Sequence, residues 1–163
     1  MEVGRRVAPI GYKYALKTCQ SAVDAFYGEF GPNSYHRTND LHNAYDVGIR
    51  GGWDLRIQLG ADLMEHYHHQ GNDFVYENSF VKGYHGGSWG VDKHGEIAAV
   101  PYWRTPAPQF TYWYPPGSPA PRGTSPYKTI VNKLRIYDQN VYTPLYLKEL
   151  GSILNDIRER LGV

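Results

Sequence analysis

Residues 100–126 constrain the fold of this chain more than any other stretch, because they read VPYWRTPAPQFTYWYPPGSPAPRGTSP and hold eight of its eleven prolines. Proline gives no N–H to a hydrogen-bond ladder and favours extended backbone before it, so this stretch is neither a helix nor a central strand. Its large aromatic side chains favour burial, which distinguishes it from a disordered linker. We call residues 100–126 the arm and expect an extended segment that lies against a surface.

Two surfaces can receive the arm: the core of its own domain, or a neighbouring subunit. Structureless loops of this length are uncommon in compact domains and tend to be functional. If the arm lies on its own domain, about half of its aromatic side chains belong to the core. If it lies on a neighbour, the residues expected to anchor the interface are Tyr102, Trp103, Phe110, Tyr112, Trp113 and Tyr114.

The composition predicts one domain that spans residues 1–163 and is large enough for its own core. Seventeen basic and sixteen acidic residues give a net charge of +1, so no bulk attraction to nucleic acid or to an anionic membrane is expected. The fifteen tyrosines suit a partly wet protein interface or a carbohydrate-binding surface. This composition indicates recognition without naming the partner.

The single cysteine, Cys19, excludes an intrachain disulfide and favours a reducing compartment. The first residues lack the apolar run of a secretory signal, and no stretch approaches the roughly 18 apolar residues of a membrane span. We therefore expect a protein made in a cytoplasm. Because Cys19 lies on the apolar face of a predicted helix, we expect it to be a core residue and not a nucleophile.

Hydrophobic spacing predicts three helices. After a short lead at residues 1–11, the apolar positions over residues 12–30 step by three or four and indicate an N-terminal helix. Ser125 and Pro126 are typical of the cap and first residue of a second helix. A third start follows at residues 143–144.

The strands are predicted between the first helix and the arm. Residues 53–59 alternate as a half-buried strand, which pairs with residues 47–50 across a Gly-Gly turn. A second hairpin is expected between residues 89–91 and 97–102, whereas residues 74–82 fit either a strand or a short helix. The order predicts an α+β fold: an N-terminal helix, an antiparallel β-sheet, the long arm and two C-terminal helices.

The histidines are the main candidates for catalysis or metal binding. His66, His68 and His69 lie within four residues of one another, and imidazoles can bind zinc. Their spacing matches no helical zinc motif, and a strand would present two of them on one face. A solvated loop or an interface is therefore favoured over a metal site, and no cofactor is expected.

Other catalytic signatures are absent from the sequence, which has no GxSxG, P-loop, GxGxxG or paired CxxC motif. A small hydrolase or nuclease is still conceivable, since Tyr35, His36, Arg37 and His42 are residue types that serve as general acids and bases. A carbohydrate-binding module is a further alternative, with Trp103 and Trp113 as stacking platforms.

Residues 38–44, TNDLHNA, follow the first helix and resemble a motif of the tail-completion (head–tail joining) proteins of long-tailed phages. Members often carry T-G-x-L-x-x-S there, and Thr38 and Leu41 match it. Asn39 replaces the glycine, which asparagine can do because it also adopts left-handed backbone, and Ala44 replaces the serine. Residues 75–87 resemble divergent versions of a later segment of that family.

This resemblance implies a virion structural protein without enzymatic activity. It implies a ring of identical subunits, expected to be a hexamer, between the connector or stopper and the tail-tube proteins. It also implies assembly from the host cytoplasm into the virion, without a membrane or a specific nucleic acid as partner. A stiff aromatic arm suits the heterologous contacts of such a ring, because it loses little entropy on docking.

Overall fold

The computed structural model describes residues 1–29, 40–65, 71–85, 89–91, 97–99 and 122–162, with the backbone described for 89–91 and 97–99. The chain begins with helix α1 (Glu2–Glu29), a 3₁₀ turn (Asp40–Asn43) and strands β1 (Tyr45–Arg50) and β2 (Asp54–Leu59). A second 3₁₀ turn (Ala61–Leu63), helix α2 (Asn72–Val75) with a π-helical continuation (Tyr76–Val81), and strands β3 (Trp89–Val91) and β4 (Ile97–Ala99) follow. The last elements are helix α3 (Pro126–Tyr137), a π-helical turn (Asp138–Tyr142) and helix α4 (Thr143–Leu161). This order confirms the predicted α+β fold.

Helix α1 begins at Glu2, well before its predicted start, so the expectation that residues 1–11 form a lead was wrong. Pro9 lies inside the helix, where it removes one backbone hydrogen bond. Val7 and Ala8 are fully buried, because the apolar face of the helix continues through this region. Their packing offsets the cost of the proline.

Two glycines on α1 allow its neighbours to approach closely. A Cβ on Gly4 would lie 2.6 Å from the carbonyl oxygen of Trp53. A Cβ on Gly11 would lie 2.6 Å from the ring of Tyr142 and 2.7 Å from a methyl group of Leu55. These distances are well inside van der Waals contact, so the hairpin and the C-terminal helix pack where α1 has no side chain.

Strands β1 and β2 form the predicted antiparallel hairpin, in which Val47 lies opposite Ile57. Gly51 and Gly52 in the turn have φ values of 59° and 76°, the left-handed region that favours glycine. Leu55 packs against the core as predicted, whereas Ile57 remains 37% exposed. The inward face of β2 is therefore covered in part.

The segment with ambiguous periodicity, residues 74–82, lies largely in α2 and its π-helical continuation. Strands β3 and β4 pair antiparallel and confirm the second predicted hairpin. In the described part of the chain the strands form two separate two-stranded sheets, β1–β2 and β3–β4.

The two predicted C-terminal helices are present and are joined without a break. The residues at both junctions have right-handed helical backbone, so α3, the π-helical turn and α4 form one helix. In the π-helical turn the N–H of Thr143 bonds to the carbonyl of Asp138, one residue further back than in an α-helix. Pro144 follows directly and has no N–H to donate, so a widened turn accommodates it inside the helix.

The core lies between α1, the β1–β2 hairpin, the helical segment before the arm and the start of α3. Cys19, Val23, Phe80 and Ile130 are fully buried in it. Burial raises the pKa of the Cys19 thiol to about 11, so the thiol is neutral at pH 7 and a poor nucleophile. This confirms the prediction that Cys19 is a core residue.

We expect the substitution Gly4→Ala to lower the free energy of unfolding by about 1–3 kcal/mol, measured by urea denaturation. The new Cβ would meet the backbone of Trp53, which moves away only if the hairpin shifts. The matched control is Gly28→Ala in the same helix, where a Cβ meets no atom within 4 Å. This control should be neutral or stabilising by up to about 1 kcal/mol. If Gly4→Ala lowers the free energy of unfolding no more than Gly28→Ala does, the close contact between α1 and the hairpin is contradicted.

Candidate interaction surfaces

The structure describes only some of the predicted site residues. Those that lie outside the described residues are Tyr102, Trp103, Phe110, Tyr112, Trp113, Tyr114, His66, His68 and His69. Their roles stay predictions. Within the described ranges, no three His, Cys, Asp or Glu side chains come together as a metal site would require.

His42, a candidate general acid or base, lies at the junction of the first 3₁₀ turn and α1. Its Nε2 atom is 3.3 Å from a carboxylate oxygen of Asp24, and its ring lies beside Tyr27. Its suggested companions at residues 35–37 fall outside the described residues. The contacts of His42 hold the turn against α1.

The last residues of the arm are fastened to the segment that follows α2. Arg122 forms a β-bridge with Tyr84, and its guanidinium carbon lies 5.3 Å from the centre of that ring. The Nε atom of Arg122 donates a hydrogen bond to the carbonyl of Lys82 at 3.0 Å. The N–H of Gly123 donates to the carbonyl of Gly83 at 2.8 Å. Backbone and side chain together fix where the arm ends.

A second set of contacts ties the arm to the end of α1. Both carboxylate oxygens of Glu29 accept from the N–H of Thr124, at 2.9 and 3.0 Å. The same carboxylate lies 3.0 Å from Nε2 of His85, a residue with 7% exposure whose ring stacks on Phe26 at 3.8 Å between centroids. A side chain on Gly123 would overlap this carboxylate and crowd the imidazole. We call Glu29, His85, Gly123 and Thr124 the arm clasp.

Ser125 completes the fastening and begins α3. Its hydroxyl donates to the carbonyl of Val81 at 2.6 Å and accepts from the N–H of Lys128 at 3.1 Å. Pro126 is the first residue of the helix, as the Ser-Pro pair predicted. The arm therefore ends at a helix cap that is bonded to the core.

The carboxylate of Glu29 is stabilised in its charged form. Its partial burial opposes the charge, but the hydrogen bonds from Thr124 and the contact with His85 outweigh this, and the pKa of Glu29 is lowered from its ordinary value. A carboxyl group whose pKa is lower in the folded state adds stability above its unfolded pKa. That stability is lost as the pH falls through the folded pKa.

Replacing Glu29 by Gln should therefore destabilise the protein more at pH 7 than at pH 3. As the pH falls through the lowered pKa of Glu29, the wild-type carboxyl group takes up a proton and loses its advantage over the amide. The measurement is the urea midpoint of both proteins at each pH. Glu77→Gln is the control, since the Glu77 carboxylate pairs with Lys82 at the surface, where ion pairs contribute about 0–1 kcal/mol. An equal penalty for Glu29→Gln at both pH values would contradict an ionised clasp.

The second surface is an apolar row on α4. Its five members are 37% to 70% exposed, and we call them the α4 stripe: Leu147, Leu150, Leu154, Ile157 and Leu161. The sequence spacing predicts that Leu147, Leu150, Ile153 or Leu154, Ile157 and Leu161 share one helical face. It did not predict that this face is left open, because the same spacing describes a buried face.

The α4 stripe is open because α4 uses another face against α1 and then extends past it. Tyr14 stacks on Tyr137 at 3.7 Å, and Arg6 lies 3.3 Å from Glu149, so the two helices run antiparallel. Both helices rise about 1.5 Å per residue. Counting from the contact between Arg6 and Glu149 therefore places the start of α1 level with about residue 153. Residues 154–161 follow beyond it and are exposed throughout.

An open stripe of this kind favours association. Fully burying one leucine or isoleucine contributes about 1.5–3 kcal/mol, so covering five half-exposed ones contributes on the order of 5 kcal/mol. Short helix ends without tertiary contacts are marginal in water. A partner on the α4 stripe would stabilise both the complex and the end of the helix.

Among the described residues, no helix is both long enough and apolar enough to cross a membrane. No protein-family model matches the chain, and no curated protein or solved structure is detectably similar to it. Its function is therefore inferred from its own residues and contacts.

Proposed function

We propose that this protein is a structural, non-enzymatic subunit of the head–tail junction of a long-tailed bacteriophage, of the tail-completion or neck type. Copies associate side by side in a ring, expected to be a hexamer, and the ring contacts the connector or stopper on one side and tail-tube proteins on the other. The subunit is made in the host cytoplasm and ends in the virion.

The observation that carries this proposal is the arm clasp. The end of an aromatic, proline-stiffened segment is held by Glu29 from α1, by His85 and by the cap of α3. Fixing the end of such a segment reduces the conformational freedom it loses on docking. The proposal is that the arm contacts the next subunit of the ring.

The order of elements supports the same proposal. A long helix, the segment that resembles the phage motif, a β-hairpin, the arm and a C-terminal helix follow one another along the chain, and this is the order that we expect of the tail-completion family. In that segment Leu41 and Ala44 are buried against the core, and the carboxylate of Asp40 accepts from Asn43 and from the backbone N–H of Glu65. The segment thus has a packing role, which fits a structural protein.

The test is the mass of the purified protein by light scattering, for the wild type and for a deletion of residues 106–121, which leaves the clasp intact. We expect the wild type to form a ring-sized species of about six times the 18.6 kDa monomer mass, and the deletion to abolish it. Replacing Trp103, Trp113 and Tyr114 by Ser should act like the deletion, because aromatic anchors dominate interfaces. A control with Ser118→Ala in the arm should leave the ring unchanged.

Two results would contradict the proposed structural role. A monomer that binds stoichiometric zinc, and loses a hydrolytic activity on His68→Ala while ignoring the arm deletion, would overturn the structural role. A monomer whose tryptophan fluorescence changes with a glycan would instead indicate a carbohydrate-binding module.

A further inference from the structure

We propose that the α4 stripe is a dimerisation seam, on which α4 of a second copy of this chain packs in the antiparallel direction. The surface is distinct from the arm, so this inference does not depend on the proposed function.

The spacing of the α4 stripe is that of a coiled-coil seam. Its members follow one another at intervals of three, four, three and four residues from Leu147 to Leu161, so they occupy successive a and d positions. The same spacing describes a helix face that is buried within a domain, but in this structure the face is exposed. The side of α4 that faces α1, marked by Tyr142 and Glu149, is a different one. The stripe therefore fits a second helix with the same repeat, which every other copy of the chain carries.

The charges of α4 favour a protein partner over a lipid surface. The helix has three basic and three acidic residues, listed in order as Lys148, Glu149, Asp156, Arg158, Glu159 and Arg160. Helices that lie on anionic membranes carry an excess of lysine and arginine beside the apolar face. A neutral polar surface around a leucine and isoleucine seam is typical of helix pairing.

Gly151 provides an independent argument. It lies in the interior of α4 next to the stripe, and a Cβ there would meet no atom within 4 Å. The fold of the single chain therefore does not require a glycine at position 151, although glycine weakens a helix relative to alanine. The missing side chain leaves room beside the stripe for a second helix.

The direction follows from the two arginines at the end of α4. In a parallel pair Arg158 and Arg160 of both copies would lie side by side. In the antiparallel pair they fall at opposite ends, and Arg160 lies beside the partner's Tyr146, whose ring can accept a cation. In this register Leu147 lies level with the partner's Ile157, and Gly151 lies near the two-fold axis.

The first test is the dimer dissociation constant by analytical ultracentrifugation, with two disruptive variants and two matched controls. Leu154→Glu and Gly151→Trp should raise the dissociation constant at least about 30-fold, the size of an interface hot spot. The controls Asn155→Glu and Ser152→Trp introduce the same side chains at exposed positions beside the stripe. They should change the dissociation constant less than about threefold. All four sites are open in the monomer, so circular dichroism at a dilution where every protein is monomeric should show nearly the same helix content in every variant.

The second test fixes the direction by oxidative cross-linking. Gly151→Cys should give a disulfide-linked dimer, because the two positions meet near the two-fold axis, whereas Leu161→Cys should not. Cys19 is buried and gives little background. A linked Leu161→Cys dimer would overturn the antiparallel arrangement. A dimer that ignores the stripe variants and is lost on deletion of residues 106–121 would overturn the seam while leaving the arm contact intact. A monomer at all concentrations would overturn both contacts.

Discussion

The structure depends on the packing of α1, whose surface carries the β1–β2 hairpin along one side and the C-terminal helix along another. Glycines at the contact points let both neighbours come closer than any side chain would allow: Gly4 faces the hairpin at Trp53, and Gly11 faces Leu55 and Tyr142. This explains why a helix can contain a proline and two glycines near its start and still form, since the contacts it makes there outweigh its weak local propensity.

The limits of α1 determine the two candidate surfaces. At its C-terminal end Glu29 reaches the arm and, with His85, fixes the point where the arm meets α3. Towards its N-terminal end α1 contacts the side of α4 that carries Glu149, whereas the α4 stripe lies on another side and is exposed. The two surfaces thus lie towards opposite ends of α1, and both suit a protein whose surface is completed by other subunits.

The sequence predicted the parts of the fold that local pattern determines. The alternating strand β2, the Gly-Gly turn and the Ser125 cap were found where residue type and spacing placed them. The start of α1 was missed because Pro9 and neighbouring glycines indicate a break, and only tertiary contacts reveal that the helix continues. The arm clasp could not be predicted, since Glu29 and His85 are 56 residues apart and share no motif. The spacing of the α4 stripe was visible, but the same spacing describes a buried face, so the sequence alone could not show that this face is exposed.

The most direct test of this account is amide hydrogen exchange of residues 154–161, followed by mass spectrometry over a range of protein concentrations. If other copies cover the end of α4, protection of these amides should increase with concentration, while protection of the buried middle of α1 stays constant. Rapid exchange of residues 154–161 at every concentration would contradict the account, because the stripe would then be uncovered in the assembled protein. Strong protection that is independent of concentration would also contradict it, since the cover would then come from within the chain.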